Sequence, residues 1–188
     1  PLTLVVKLRK GVMFPTKPGV MEARELVADD VVYSYDLVNE SPKRIATYFD
    51  HIKRVEARDD YTVVFHLRHF NAEWSYRFGY GYYSGISPRE MSQVDRKSWK
   101  NVTGSGPFQL ERYIQANAHI YRKNEYYWDR IRLGHESYPL PFVDRVIYRI
   151  IKDEATYLTA LRTGQLDILE AIRWIAVDHL KKTTPELQ

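Results

Sequence analysis

Residues 28–38 read Ala-Asp-Asp-Val-Val-Tyr-Ser-Tyr-Asp-Leu-Val, and the chain opens on Leu2-Thr3-Leu4-Val5-Val6-Lys7-Leu8-Arg9. In the second stretch Leu2, Leu4, Val6 and Leu8 alternate with Thr3, Val5, Lys7 and Arg9, the period of a strand with one buried face. In the first, Val31, Tyr35 and Val38 recur at i, i+4 and i+7, the period of a helix with one apolar face. Asp29 and Asp30 fall in its first turn, where the helix dipole favours anions, and Ser41-Pro42 ends it. Residues 52–57 and 61–67 are β-rich and flank Arg58-Asp59-Asp60, so they read as a hairpin. A strand, a helix and a hairpin in succession give a mixed α/β (α+β) chain.

Gly11 and residues 15–19 break the first strand pattern. Residues 71–87 set Trp74, Tyr76, Phe78, Tyr80, Tyr82 and Tyr83 among Gly79, Gly81 and Gly85, which reads as a Gly-aromatic irregular segment. Gly104-Ser105-Gly106-Pro107 is the strongest break and marks a boundary between residues 1–103 and 104–188. Beyond it, residues 108–110, 118–121 and 143–151 are strand candidates. Asp153 caps a helix carrying Ala155, Leu158 and Leu161, with Gly164 at its C′ position. Leu166-Asp167-Ile168 reads as a further strand, and the chain ends on a helix-like stretch.

Composition narrows the function classes. The 188 residues contain 15 Tyr against 7 Phe and 4 Trp, and no Cys, which excludes disulfide frameworks, thiolate catalysis and Cys-ligated metals. Apolar runs stay far below the roughly 20 residues that span a bilayer, so no direct membrane span is expected. The absence of an initiator Met and of a basic-then-apolar leader suggests a piece of a longer polypeptide. With 28 Lys+Arg against 24 Asp+Glu, the net charge of +4 is spread along the chain rather than gathered into a basic face.

No catalytic or metal constellation emerges, and no cofactor is expected. His66 and His69 sit at the end of a strand-like run, where residues i and i+3 face opposite ways. His51, His119, His135 and His179 are scattered. Gly104-Ser105-Gly106 lacks nucleophile-elbow spacing, Gly79-Tyr80-Gly81 departs from the dinucleotide fingerprint, and the pairs Asp29/Asp30 and Asp59/Asp60 diverge as sequence neighbours. The aromatic segment differs in kind. Tyr with Gly offers broad, rigid contact area with a hydroxyl, so Trp74, Tyr80, Tyr82 and Tyr83 are the candidate ligand-binding wall, against core packing at about even weight. A nucleic-acid-binding module that stacks bases on these rings is the alternative from another class; the interleaved acids count against it.

Several ordered blocks resemble one family: residues 6–14, Ala28-Asp29-Asp30-Val31-Val32-Tyr33-Ser34, Val55-Glu56-Ala57 through Asp60-Tyr61-Thr62-Val63, Gly104-Ser105-Gly106-Pro107-Phe108, Arg122-Lys123-Asn124 before Tyr126-Tyr127-Trp128, Leu140-Pro141-Phe142-Val143-Asp144-Arg145, and Leu161 through Gly164-Gln165-Leu166-Asp167-Ile168. Together they are similar to the extracellular solute-binding proteins of family 5, the dipeptide, oligopeptide and nickel-type binding components of ABC importers. Two departures stand out. Val27 occupies the place of the family's usual N-cap Thr, and residues 15–26 form a longer stretch than the family's short Asp-Gly turn.

The resemblance implies a periplasmic-binding-protein-like lobe of the class with an extra subdomain, incomplete. Residues 1–103 would be the smaller subdomain, residues 104–188 part of the sheet-bearing, hinge-proximal one, and the second lobe would be absent. It further implies a non-enzymatic protein, periplasmic or lipid-anchored at the cell surface. Its partners would be a small peptide, or alternatively an oligosaccharide, and the permease subunits of an ABC transporter; no nucleic acid is expected.

Overall fold

The computed structural model describes residues 2–79 and 85–186. In chain order its elements begin with β1 (Thr3–Lys7), β2 (Met13–Phe14), β3 (Arg24–Glu25), α1 (Ala28–Glu40), α2 (Ala46–Phe49), β4 (Ile52–Asp59), β5 (Thr62–Leu67) and α3 (Trp74–Gly79). Two short 3-10 turns, Arg89–Gln93 and Trp99–Asn101, lead to β6 (Phe108–Ile114), β7 (Ala118–Lys123), β8 (Arg130–Leu133), β9 (Glu136–Pro139), β10 (Arg145–Arg149), α4 (Glu154–Arg162) and α5 (Trp174–Thr183). Two compact units are formed, residues 1–113 with 120–147, and residues 114–119 with 148–188.

In the first unit β5 is the centre of an antiparallel sheet ordered β1-β5-β4. The register pairs Val5 with Val64 and Val55 with Phe65. Centrality explains why Thr62, Val63, Val64 and Phe65 are all buried, whereas β1 alternates half-buried and exposed positions as its period-2 pattern predicts. The hairpin turn is tighter than expected: β4 runs on to Asp59, whose Oδ1 accepts the Tyr61 N–H at 2.9 Å. Helix α1 lays Ala28, Val31, Tyr35 and Val38 on this sheet, joining a core of Phe49, Ile52, Val63 and Phe65. A second cluster of Val12, Phe14, Met21 and Leu26 sits under the ribbon of β2 and β3.

Asp30 ties these parts together. It has no exposed surface, yet its carboxylate accepts from Arg24 Nη1 and Nη2 at 2.8 and 2.7 Å, from the Val27 N–H at 3.0 Å and from the Arg89 N–H at 3.1 Å. Arg24 also reaches Glu90, Nε to Oε1 at 2.7 Å and Nη2 to Oε2 at 2.5 Å. These bonds raise the guanidinium pKa above its ordinary value and hold the Glu90 carboxyl below its own. Asp29, its sequence neighbour, points outward to Arg89 at 3.4 Å, so the two acids diverge as expected.

The Gly104 turn is fastened by side chains. Gln109 Nε2 donates to the Gly104 carbonyl at 2.6 Å and Asn124 Nδ2 to the Gly106 carbonyl at 2.8 Å, and both residues are buried. Strands β6, β7 and β10 form a sheet ordered β10-β7-β6, matching three of the strand expectations. The β8–β9 hairpin went unanticipated. It turns through Gly134 at φ 64° and His135, since Leu133 pairs directly with Glu136.

In the second unit Asp153 caps α4 by accepting the Thr156 N–H at 2.8 Å, and Gly164 follows the C-cap with φ 67°, both as read from the sequence. Leu166-Asp167-Ile168 is not a strand. The N–H groups of Gln165 and Leu166 are taken by the Ala160 carbonyl at 2.8 and 3.1 Å, so the helix end uses the backbone a ladder would need. Leu161 of α4 and Leu180 of α5 are buried and line a common pocket, and Arg173 pairs with Glu154.

Two stability predictions follow for the full-length protein in urea unfolding. Val27 has an extended N-cap backbone (φ −123°, ψ 169°) but no side-chain acceptor, so Val27→Thr should stabilise by about 1 kcal/mol. Asp30→Ala leaves Arg24 with Glu90 as its remaining carboxylate, leaves two backbone donors unpaired and should cost about 3 kcal/mol or more, whereas Glu90→Gln, at a partly exposed position, should cost roughly 1 kcal/mol.

Candidate functional site

Residues 71–79 are helical at their C-terminal end rather than irregular. Asn71 starts the turn, its Oδ1 accepting the Glu73 N–H at 2.9 Å and its carbonyl the Trp74 N–H at 3.2 Å. Glu73 and Arg77 then close an i,i+4 ion pair at 2.6 Å. The glycines dominated the sequence reading, and the Asn71 cap, the Glu73–Arg77 pair and the four-residue spacing of Trp74 and Phe78 are the signals it passed over.

That spacing sets Trp74 and Phe78 on one face of α3. The Phe78 ring meets Phe65 edge-on at 4.6 Å and lies 6.4 Å from Phe49 and 6.5 Å from Trp74. Tyr76, on the other face, is 59% exposed. Trp74 and Phe78, together with Tyr35 and Val38 of α1, Phe49 and Phe65, line an apolar cavity of about 230 Å³. Burial pushes the Tyr35 hydroxyl above its usual pKa. Of the four expected wall residues, Trp74 thus lies half-buried at the cavity, while Tyr80, Tyr82 and Tyr83 lie outside the described residues.

Beyond this segment Ser34 holds the returning chain to α1. Its Oγ donates to the Asp30 carbonyl at 2.7 Å and accepts the Ser87 N–H at 2.9 Å. The Asp30 network therefore positions the residues that follow the aromatic stretch as well as the helix before it.

The described part of the candidate site offers aromatic and apolar surface. His66 Nε2 lies 2.9 Å from Glu56 Oε1, and hydrogen bonds from His66 and Arg54 hold the Glu56 carboxyl below its ordinary pKa. This is a cross-strand hydrogen-bonded pair on the β4–β5 hairpin. Among the described residues no three His, Asp or Glu side chains are grouped to hold a metal ion. Among them, too, no helix is long and apolar enough to cross a membrane.

Comparison with known proteins agrees with this architecture. The chain is similar to the oligopeptide-binding protein AppA of Bacillus subtilis, 28% identical over 86% of the chain and 28% of that protein. Di/tripeptide-binding protein 1 of Pseudomonas aeruginosa is 28% identical over 96% of the chain and 35% of its own length. The periplasmic binding protein DppA of Helicobacter pylori, solved in complex with the peptide STSA, superposes with a TM-score of 0.79 at 28% identity, covering 96% of this chain and 37% of that one. The chain thus spans about a third of the length of these relatives. A periplasmic-binding-protein fold is shared with them, as the block resemblance implied. With the family model for bacterial extracellular solute-binding proteins, family 5 Middle, matching residues 1–187, the chain belongs to that family.

Proposed function

We propose that this chain is part of the substrate-binding component of an ABC importer, which captures a peptide-like solute outside the cytoplasmic membrane and delivers it to the permease without transforming it. The observation that carries this reading is the family match across residues 1–187, joined by similarity to two proteins named for peptide binding. In this reading the protein is periplasmic or lipid-anchored at the cell surface. Residues 1–103 form the smaller subdomain of one lobe, and residues 104–188 contribute to its sheet-bearing part.

Trp74, Tyr80, Tyr82 and Tyr83 supply one wall of the cleft. Support comes from the partial exposure of Trp74 at the head of α3, with its apolar cavity behind it. Aromatic faces give a peptide broad contact while the backbone groups of the solute remain free to hydrogen-bond elsewhere. Closure of a second lobe onto this wall would trap the solute by favouring the closed population.

A thermal-shift screen of the full-length protein against short peptides and oligosaccharides tests the reading. Peptides should raise the melting temperature, since a ligand at a hundred times its Kd adds about 2.7 kcal/mol to the native state. Stabilisation by oligosaccharides alone would replace the solute class, and salt-sensitive binding to RNA or DNA alone would replace the function. Tyr82→Ala and Tyr83→Ala should each weaken the peptide Kd roughly tenfold, a loss of about 1.4 kcal/mol, with the melting temperature nearly unchanged. A large stability loss with intact affinity would assign these rings to the core.

A further inference from the structure

His51 occupies the turn between α2 and β4 and has no exposed surface. Neither ring nitrogen has a hydrogen-bond partner among the described residues. Its backbone cannot swing the ring outward cheaply: the His51 carbonyl accepts the Arg68 N–H at 2.7 Å, and Ile52 is in register with Leu67 at the end of the sheet. Three flanking elements present charge or titratable groups to the ring. Asp50 precedes it, and its carbonyl is already engaged by Arg68 Nη1 at 3.1 Å. His69, past the end of β5, places its ring 6.3 Å away. Arg77 comes from α3, with a buried Nε that also lacks a partner, Nη2 on Glu73 at 2.6 Å, and its guanidinium 4.7 Å above the Tyr48 ring. Burial pushes the His51 imidazole below its ordinary pKa; Asp50 opposes this, while His69 and Arg77 add to it.

We propose that His51 is an acid-sensitive latch on α3: its neutral ring lets Arg77 and the helix pack against the end of the sheet, and taking up a proton drives them apart. An imidazolium here would be a buried cation beside Arg77 and His69, with Asp50 the one acid facing it among the described residues. The flanking elements differ in how well they resist. Strand β5 is paired on both sides, with β1 in unbroken register and with β4 through register shifts at Ile52/Arg54 and Ala57/Asp59, whereas α3 has six residues and none of them buried, so the helix yields first. In the opened state His51 meets water and titrates near its ordinary value of about 6.5. The packed state is therefore fully favoured above about pH 6.5, and opening becomes up to tenfold more favourable per pH unit as the pH falls from there towards the folded-state pKa. No ligand enters this equilibrium, so it holds or fails independently of the solute proposed above.

Histidine-labelled NMR and amide hydrogen exchange on the full-length protein, without solute, test the latch. His51 should remain neutral at pH values where an imidazole in water has begun to charge. After correction for intrinsic exchange, the amides of residues 77–79 should lose protection by up to tenfold per pH unit between pH 6.5 and 5, while those of β5 hold theirs. His51→Phe should remove that dependence and His66→Gln should retain it. A His51 ring that titrates at or above 6.5, or acid-dependent exchange that survives in His51→Phe, would overturn the proposal. Should His51→Phe fail to fold, the wild-type titration and the contrast between α3 and β5 decide the matter by themselves.

Discussion

An ionised carboxylate moved from water into a protein interior loses several kcal/mol of solvation, and only a full set of donors offsets that cost. Asp30 has such a set. A bidentate guanidinium faces it on one side, and the N–H groups of Val27 and Arg89 complete it. The donors come from the β2–β3 ribbon, the start of α1 and the segment after the aromatic stretch, so one buried charge fixes three parts of the chain at a common point. The helix start depends on it in particular. Val27 has no acceptor of its own, and the Asp30 carboxylate reaching back to its N–H is the surviving half of a capping box.

His51 is the opposite solution to the same problem within the same unit. Asp30 is saturated by four donors; the His51 ring is buried with no hydrogen-bond partner among the described residues. A neutral imidazole bears this at the cost of unmade hydrogen bonds, and a charged one does not. Polar burial thus divides the unit into a part that gains rigidity from a satisfied charge and a part whose packing depends on a proton staying away. Helix α3 belongs to the second part.

What the sequence made legible was periodicity. Strand β1, helix α1, the β4–β5 hairpin and the capped α4 each carry their own pattern, caps and stops within a dozen residues. What it hid was set by distance or by competition for backbone groups. Arg24 and Glu90 are 66 residues apart, and nothing local marks either as a partner of the other. Leu166-Asp167-Ile168 has strand composition, but the Ala160 carbonyl claims the N–H groups at its head. In β8 and β9 every residue is exposed, so the pattern that normally betrays a strand, a buried face, is absent, and only Gly134 signals the turn. Of the site, the aromatic stretch was visible as composition; that Trp74 and Phe78 share a helical face was visible as spacing, masked by the glycines around them.

In the proposed reading, the position of Trp74 carries two demands that pull against each other. A core aromatic is most stabilising when enclosed, yet a recognition surface must leave one face of the ring for the solute. Trp74 meets both by sitting at the N-terminus of a short helix whose C-terminal Phe78 does the deeper packing against Phe65. The anchor and the proposed contact are thereby separated by one helical turn. A helix held chiefly by one inserted ring and one partly buried arginine is also weakly held, and elements of low local stability are those that move when ligands bind. The thin anchoring of α3 would let the proposed wall adjust to solutes of differing shape while the Asp30 network keeps the helix and sheet behind it in place.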